Sequence, residues 1–477
     1  MIEHIIDMPG WHRMADLKIW LLLCLMSVSP TLWALDQTAA MPTFVSFSDI
    51  HFNPFANCKT LTLKTCPLVD KLCQAPATGW QKIFESDDSK DVAEYSHDTN
   101  YALFKSSLSE IAKVSESSQP RFAIMLGDYL AHNYHAQYIL YSHDRTASGY
   151  QSFVKKTIEF LTQQIHEVLP TIDIYPALGN NDSYTGDYSV QPGGSFLRDT
   201  AATWVSLIGN ANNQLSLRST FPIAGFYAVT LPGKSKQKLI VLDTVLFSTA
   251  AKNKAMASAA QLQLQWLRQQ LQQAASQKHS VLLAYHIPDG VNVYMTLINI
   301  FHGVDEFWQR DYSNAFNQML KQYATTIKGI LPGHIHMDSF QVINFNNNDD
   351  VPVSYTPSIS PIFGNNPGFK VYSYDADSLQ LTNYDMYFYP LNEPLATRSW
   401  RKEYSFADAY HPNCVACDLL KGMKQLTPTG DLANNFKRYY AVGTQAQPII
   451  RNHYWLPYYW CDIFDSGMDA YQTCIRH

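Results

Sequence analysis

Apolar residues along the chain gather in short runs that stop abruptly at polar or ionisable clusters. The runs cover 44–48, 122–126, 172–178, 239–242, 281–285 and 327–331. Their length and lack of helical spacing predict buried strands. Between them the spacing changes. Leu264, Leu267, Leu271 and Ala274 share one face of a helix expected over 261–274, a core-packing pattern with no chemistry of its own. Strand alternating with helix predicts a layered α/β fold, in which ligands gather at strand ends where loops begin. The stretch 344–350 reads as a polar turn or hairpin tip. Beyond about Leu395 the rhythm fades into an aromatic, cysteine-bearing tail, so a separate C-terminal unit is expected over 396–477.

The chain opens differently. After Lys18, the stretch 19–28 has almost no polar interruption. It is too short to span a bilayer, which needs roughly 20 apolar residues, and it suits the core of a secretory signal. A signal peptide over 1–34 is therefore expected, with cleavage after Ala34, a mature start at Leu35 and Met14 as an alternative initiator. Leu23 precedes Cys24 where lipoprotein processing favours a small residue, so soluble export, secreted or periplasmic, is the expectation. No later stretch reads as a transmembrane span.

Composition narrows the class. With 46% hydrophobic and 16% charged residues, the chain is neither disordered nor a coiled coil. A formal charge of -6 lacks the basic surplus that drives nucleic-acid binding, so nucleic acid is not an expected partner. Seven cysteines follow the signal: Cys58, Cys66, Cys73, Cys414, Cys417, Cys461 and Cys474. Clustered at the two ends of an exported chain, they predict local disulfides with one thiol left over. Cys414 and Cys417 form a CxxC, but no second pair follows at zinc-finger spacing.

The chemistry lies where the runs stop. FSDIH places Asp49 and His51 just after the first run, and MLGDYLAH places Asp128 and then His132 after the second. ALGNND supplies Asn180, Asn181 and Asp182, LLAYHIP supplies His286, and LPGHIH supplies His334 and His336. Five ordered blocks of Asp, His and Asn suit a dinuclear site, which needs a bridging carboxylate, several imidazoles and an open position for water. Any one block alone is an ordinary turn or a capping histidine; the ordered set is what carries the reading.

The order and spacing resemble the metallophosphoesterase signature: DxH, GD, GNH or a variant, a lone His, then GHxH. The resemblance implies a layered metallophosphoesterase β-sandwich flanked by helices over 41–395, with a small disulfide-bearing extension. By position, Asp49, His51 and His336 would hold one divalent metal, and Asn180, His286 and His334 a second. Asp128 would bridge them, with a metal-bound hydroxide as nucleophile and zinc as the expected metal.

Three features point to the acid sphingomyelinase-like branch: Asp338 and Phe340 after GHIH, the Pro357-Ser358…Asn366-Pro367-Gly368-Phe369 stretch, and His132 four residues after Asp128. The branch also implies a terminal disulfide, here Cys461 with Cys474. The chain departs from the branch in lacking a saposin-like domain before the motifs, and in carrying His97 and Asp98 where relatives have a Cys-Asp pair. It carries Asn181 where most have a histidine thought to protonate the leaving oxygen. Asparagine donates hydrogen bonds but no full proton, which leaves His132 as the remaining acid.

The GNND form is similar to that of endopolyphosphatases, so nucleotide polyphosphates or polyphosphate are the favoured substrates of a phosphodiester or phosphoanhydride hydrolase. The alternative is a sphingomyelin phosphodiesterase at a membrane surface. Tyr454, Trp455, Tyr458, Tyr459 and Trp460 would be its apolar rim, or else tail packing. A non-catalytic binding protein would be expected to have lost a ligand. A small phosphorylated substrate and a monomer complete the expectation.

Overall fold

The six expected strands form, and they run parallel to their neighbours from the same set. The computed structural model describes residues 41–58, 66–87, 91–251, 253–299, 301, 303–345, 349–414, 417–444, 454–464 and 467–476. The expected signal peptide and mature start lie outside the described residues. In the first sheet, β1 (Thr43–Phe47) pairs in parallel with β2 (Phe122–Met125), and β2 with β3 (Asp173–Pro176). The second sheet holds β4 (Tyr227–Thr230), β5 (Gln237–Val241), β6 (Ser280–Ala284), β7 (Ile327–Leu331), β8 (Phe340–Ile343) and β9 (Val351–Ser354). Its order is β4-β5-β6-β7-β9-β8, with β5, β6, β7 and β9 parallel. The polar stretch 344–350 falls between β8 and β9, which pair antiparallel from Ile343 against Val351.

Three further strands, β10 (Gly368–Tyr374), β11 (Leu381–Phe388) and β12 (Arg401–Ser405), extend the first sheet antiparallel beyond β1. The sheets face each other. The Tyr227 hydroxyl donates to the Pro176 carbonyl at 2.8 Å, and the Ser354 and Tyr372 hydroxyls meet at 2.9 Å. Helices cover the outside: Tyr101–Ser118 packs on β1, and Lys254–Ser276 on β6. The latter starts where the Asn253 side chain accepts from the Met256 N–H, and it buries Leu267, Leu271 and Ala274 as their spacing requires. The layered α/β sandwich flanked by helices is thus the fold of the chain.

Residues 42–477 form one compact unit. β12, beyond the expected boundary at 395/396, is the edge of the first sheet, so pairing runs across that boundary. In the tail, the helix Leu456–Phe464 packs on β8. Tyr459 and Trp460 are buried against Tyr440 and Phe436, whereas Tyr454 is exposed. Among the described residues, three disulfides join Cys58 to Cys66, Cys414 to Cys417 and Cys461 to Cys474, leaving Cys73 as a thiol.

The bridge from Cys461 to Cys474 spans 13 positions and staples the terminal helices. Closing a loop of that size restricts the unfolded chain by about 3 kcal/mol. Replacing both cysteines by serine should lower stability in urea by about that amount. Non-reduced peptide mapping of the oxidised protein should recover this pair, and finding both thiols free would refute it.

Candidate metal centre

Five strand ends converge, because β1, β2 and β3 of one sheet and β6 and β7 of the other all release their chain on the same side of the sandwich. Asp49 and His51 follow β1, Asp128 follows β2, Asn180 and Asn181 follow β3, His286 follows β6, and His334 and His336 follow β7. The chain must turn sharply there. Asp49, His51, Asp128, His334 and His336 all have left-handed backbones, with φ of 50, 43, 54, 72 and 64°. Each such residue costs about 1–3 kcal/mol and persists only where its surroundings over-determine it. Gly127, at φ 96°, and Gly179 let the second and third turns press together. A Cβ on Gly179 would collide with the Asp128 carboxylate.

Two ligand-like groups result. Asp49, His51 and His336 bring one donor atom each within 4.8 Å of the others, and Asp128, His286 and His334 do the same. In the first group His51 Nε2 and His336 Nε2 meet at 3.1 Å, with Asp49 Oδ1 at 3.7 and 3.3 Å. That oxygen is buried and has no hydrogen-bond partner. In the second, His286 Nε2 lies 3.1 Å from Asn180 Oδ1 and 3.2 Å from His334 Nδ1. Asp128 Oδ2 stands between the groups, 3.5 Å from His51 Nε2 and 3.2 Å from His286 Nε2. The opposite ring nitrogens are anchored: His51 Nδ1 donates to the Leu130 carbonyl at 3.1 Å, and His286 Nδ1 to the Leu126 carbonyl at 2.6 Å. That fixes the tautomer with its Nε2 lone pair facing inward. Buried lone pairs crowded this closely, with an orphaned carboxylate oxygen among them, are a donor set that fits cations.

The electrostatics agree. Burial opposes charge on every group, yet the imidazoles of His286 and His336 hold the Asp49 carboxyl well below its ordinary range. Burial would also lower His51 and His286, but the Asp128 and Asp49 carboxylates together with hydrogen bonds outweigh it and lift them to about 9 and about 10. His334, desolvated and next to His286, falls to about 3. Without cations the centre would balance its carboxylates with protons, and those protons would occupy the lone pairs a cation needs.

No family model matches the chain. Sphingomyelinase phosphodiesterase D of Dictyostelium discoideum is 27% identical over 83% of this chain and 87% of its own length. Acid sphingomyelinase-like phosphodiesterase 3b of Homo sapiens is 25% identical, covering 91% of this chain and 90% of its own. Cyclic GMP-AMP phosphodiesterase SMPDL3A of Homo sapiens is 24% identical over 67% of this chain and 68% of its own. The chain is a homologue of the acid sphingomyelinase-like phosphodiesterases. Among solved structures, a dimetal phosphatase from Danio rerio aligns over 73% of this chain and 95% of its own, with 10% identity and a TM-score of 0.42. As a homologue of these phosphodiesterases, the chain is a phosphoric ester hydrolase.

The residues at the departures from pattern each have a place. Asn181 binds the Asp128 carboxylate twice, through its backbone N–H to Oδ1 at 2.8 Å and its side-chain amide to Oδ2 at 2.9 Å. His132 stacks on His51 with ring centroids 4.1 Å apart, and its Nδ1 lies 2.9 Å from Asp98 Oδ1. His97 is exposed, turns to the Tyr95 carbonyl and joins neither group. Sequence reasoning gave Asp98 and Asp182 no role. Asp98, two residues ahead of a helix N-cap, gave no local signal of its partner 34 positions away.

Asp182 organises the turn that presents Asp128. Fully buried, its two oxygens accept from the backbone N–H groups of Asp128 (2.9 Å), Tyr129 (2.8 Å), Leu130 (3.3 Å) and Gly179 (2.8 Å). Burial and the adjacent Asp128 charge push its carboxyl up to about 7 despite those donors. Asp182→Ala would strand four buried amides, each worth about 1–3 kcal/mol when unsatisfied. Urea denaturation should show a loss of at least about 3 kcal/mol, and a loss below about 1 kcal/mol would mean the amides find other partners.

Proposed function

We propose that this hydrolase cleaves phosphodiesters of low net charge, using two divalent cations, zinc by preference. Asp49, His51 and His336 would hold one, Asn180, His286 and His334 the other, and Asp128 would bridge. The observation that carries this is Asp128 Oδ2, within 3.5 Å of an inward-facing imidazole nitrogen in each group. When bound, two cations would polarise the phosphoryl group, activate a water and stabilise the leaving oxygen. The chain's own residues arrange the rest. The Leu126 and Leu130 carbonyls keep two imidazoles in the ligating tautomer, and Asn181 steadies the bridging carboxylate. Asp98 occupies Nδ1 of His132, leaving Nε2 as the atom that can hand a proton to a leaving alkoxide. General acid help of that kind is worth about 10²–10⁴-fold and matters most for esters.

Charge favours diesters over the polyphosphates that the GNND form suggested. The chain has 35 lysines and arginines, yet 43–58, 122–144, 173–197, 280–309 and 329–369, which contain the converging strand ends and the loops after them, have none. A polyanion would meet no side-chain cations from these segments. The relatives named above are also phosphodiesterases. A second reading, a sphingomyelin-type diester at a lipid surface, is supported by exposed Tyr294, Met295, Ile298 and Phe301, which follow His286 on an uncharged stretch. Among the described residues no helix is long and apolar enough to cross a membrane. The three disulfides support our further reading of a secreted or periplasmic protein, exported by a cleaved signal; we also propose that it is monomeric.

Zinc-loaded protein should be assayed on bis-p-nitrophenyl phosphate, sphingomyelin vesicles, ATP and polyphosphate. The expected order of kcat/KM places a diester first, and sphingomyelin leading would select the lipid reading. ATP or polyphosphate ahead of both diesters would sink the charge argument.

Asp128→Ala should lose metal by elemental analysis and lower kcat by on the order of 10³-fold or more. A variant that keeps two metals and near-normal turnover would remove the bridging assignment.

A further inference from the structure

A buried ion pair ties the two sheets together behind the first ligand group. Lys370 on β10 stands opposite Ser46 on β1, three positions before Asp49. Its ammonium lies 2.7 Å from Asp338 Oδ1, with both side chains at most 1% exposed. It also donates to the Tyr355 carbonyl at 2.6 Å and sits 3.9 Å from the centroid of the Tyr384 ring. Asp338 comes two residues after His336. Its Oδ2 accepts from the Tyr404 hydroxyl at 2.6 Å, and its backbone N–H donates to the Tyr440 carbonyl at 2.8 Å. Tyr404 and Tyr384 share a further hydroxyl contact at 2.8 Å. One end of this cluster therefore belongs to the sheet that delivers Asp49 and His51, and the other to the turn that delivers His336.

As a stabiliser such a pair is a poor choice, because the cost of stripping water from both charges rivals their attraction. Apolar residues of similar volume often serve as well or better. What apolar packing lacks is direction. The carboxylate of Asp338 is gripped from two sides and its backbone from a third, which fixes the register of the turn against β1. His334 and His336 both hold left-handed backbones in that turn, a strain that needs fixed surroundings.

We propose that Lys370, Asp338 and Tyr404 are positioning residues that hold His336 in register with Asp49 and His51 for the first cation. This rests on the reading of that group as a cation site. None of the three touches the cation; they act through the backbone that carries His336.

The test compares the full chain with Tyr404→Phe, Lys370→Met and the double variant Lys370→Met, Asp338→Leu. Stepwise zinc affinities are measured against a competing chelator, and the melting temperature of each metal-free protein is recorded. The single lysine variant should melt lower, because it leaves a buried carboxylate unpaired. The double variant should recover that melting temperature, yet bind one of its two zinc ions roughly 10–100-fold more weakly, the range seen when groups that orient metal ligands are lost. Tyr404→Phe should weaken the same ion to a smaller degree and lower the melting temperature less than Lys370→Met does, because Asp338 keeps its lysine partner. A double variant with wild-type affinity at both sites overturns the proposal, as does a loss shared equally between the two ions. Wild-type protein that binds no zinc would instead overturn the cation reading, a separate failure.

Discussion

The structure around the centre depends on keeping the Asp128 carboxylate buried between two sheets. A lone carboxylate there would be strongly destabilising. It is tolerated because His51 from its own sheet and His286 from the opposite sheet face it, and Asn181 donates to both its oxygens. Asp182 then gathers the amides of the same turn, so the backbone carrying the charge is held as firmly as the charge itself. Without cations, protons on His51 and His286 supply the balance, at about 9 and about 10. As proposed, a pair of divalent ions would displace those protons and tie both sheets to one carboxylate. Metal binding and the closeness of the sheets would then be a single equilibrium.

The parts that were legible in the sequence share a physical cause. Parallel strands buried on both faces read as unbroken apolar runs, and each ends at a polar cluster because that is where the chain leaves the core. Hence β1, β2, β3, β5, β6 and β7 were visible, along with every ligand-like residue at their ends. β4, β8, β9, β10, β11 and β12 were not. β10 carries Lys370 in full burial, with its charge matched by Asp338 thirty-two positions earlier. β11 alternates, and β12 is a charged edge whose Arg401 and Lys402 are exposed. Pairings between distant residues leave no local trace, which is also why Asp98 and Asp182 went without roles. The tail changes composition at about 395, and β12 beyond it continues the sheet that began at Thr43.

Asn181 shows how a departure from a motif is better read in place than by deletion. Read from sequence, the GNND form it belongs to pointed to polyphosphates, and its lack of a transferable proton left His132 as the remaining acid. In the structure its amide is committed to Asp128, so its first effect is on the proposed bridging ligand. As proposed, the proton for an ester would then fall to His132, which stacks on His51 and is held through Nδ1 by Asp98. Replacing Asn181 by histidine would add a possible acid while removing a donor from Asp128, two effects of opposite sign on turnover. The same position thus couples leaving-group chemistry to the geometry of the carboxylate. As proposed, substrate choice would rest instead on the loops, where the absence of lysine and arginine would leave a multiply charged phosphate chain without the side-chain partners that a single diester does not require.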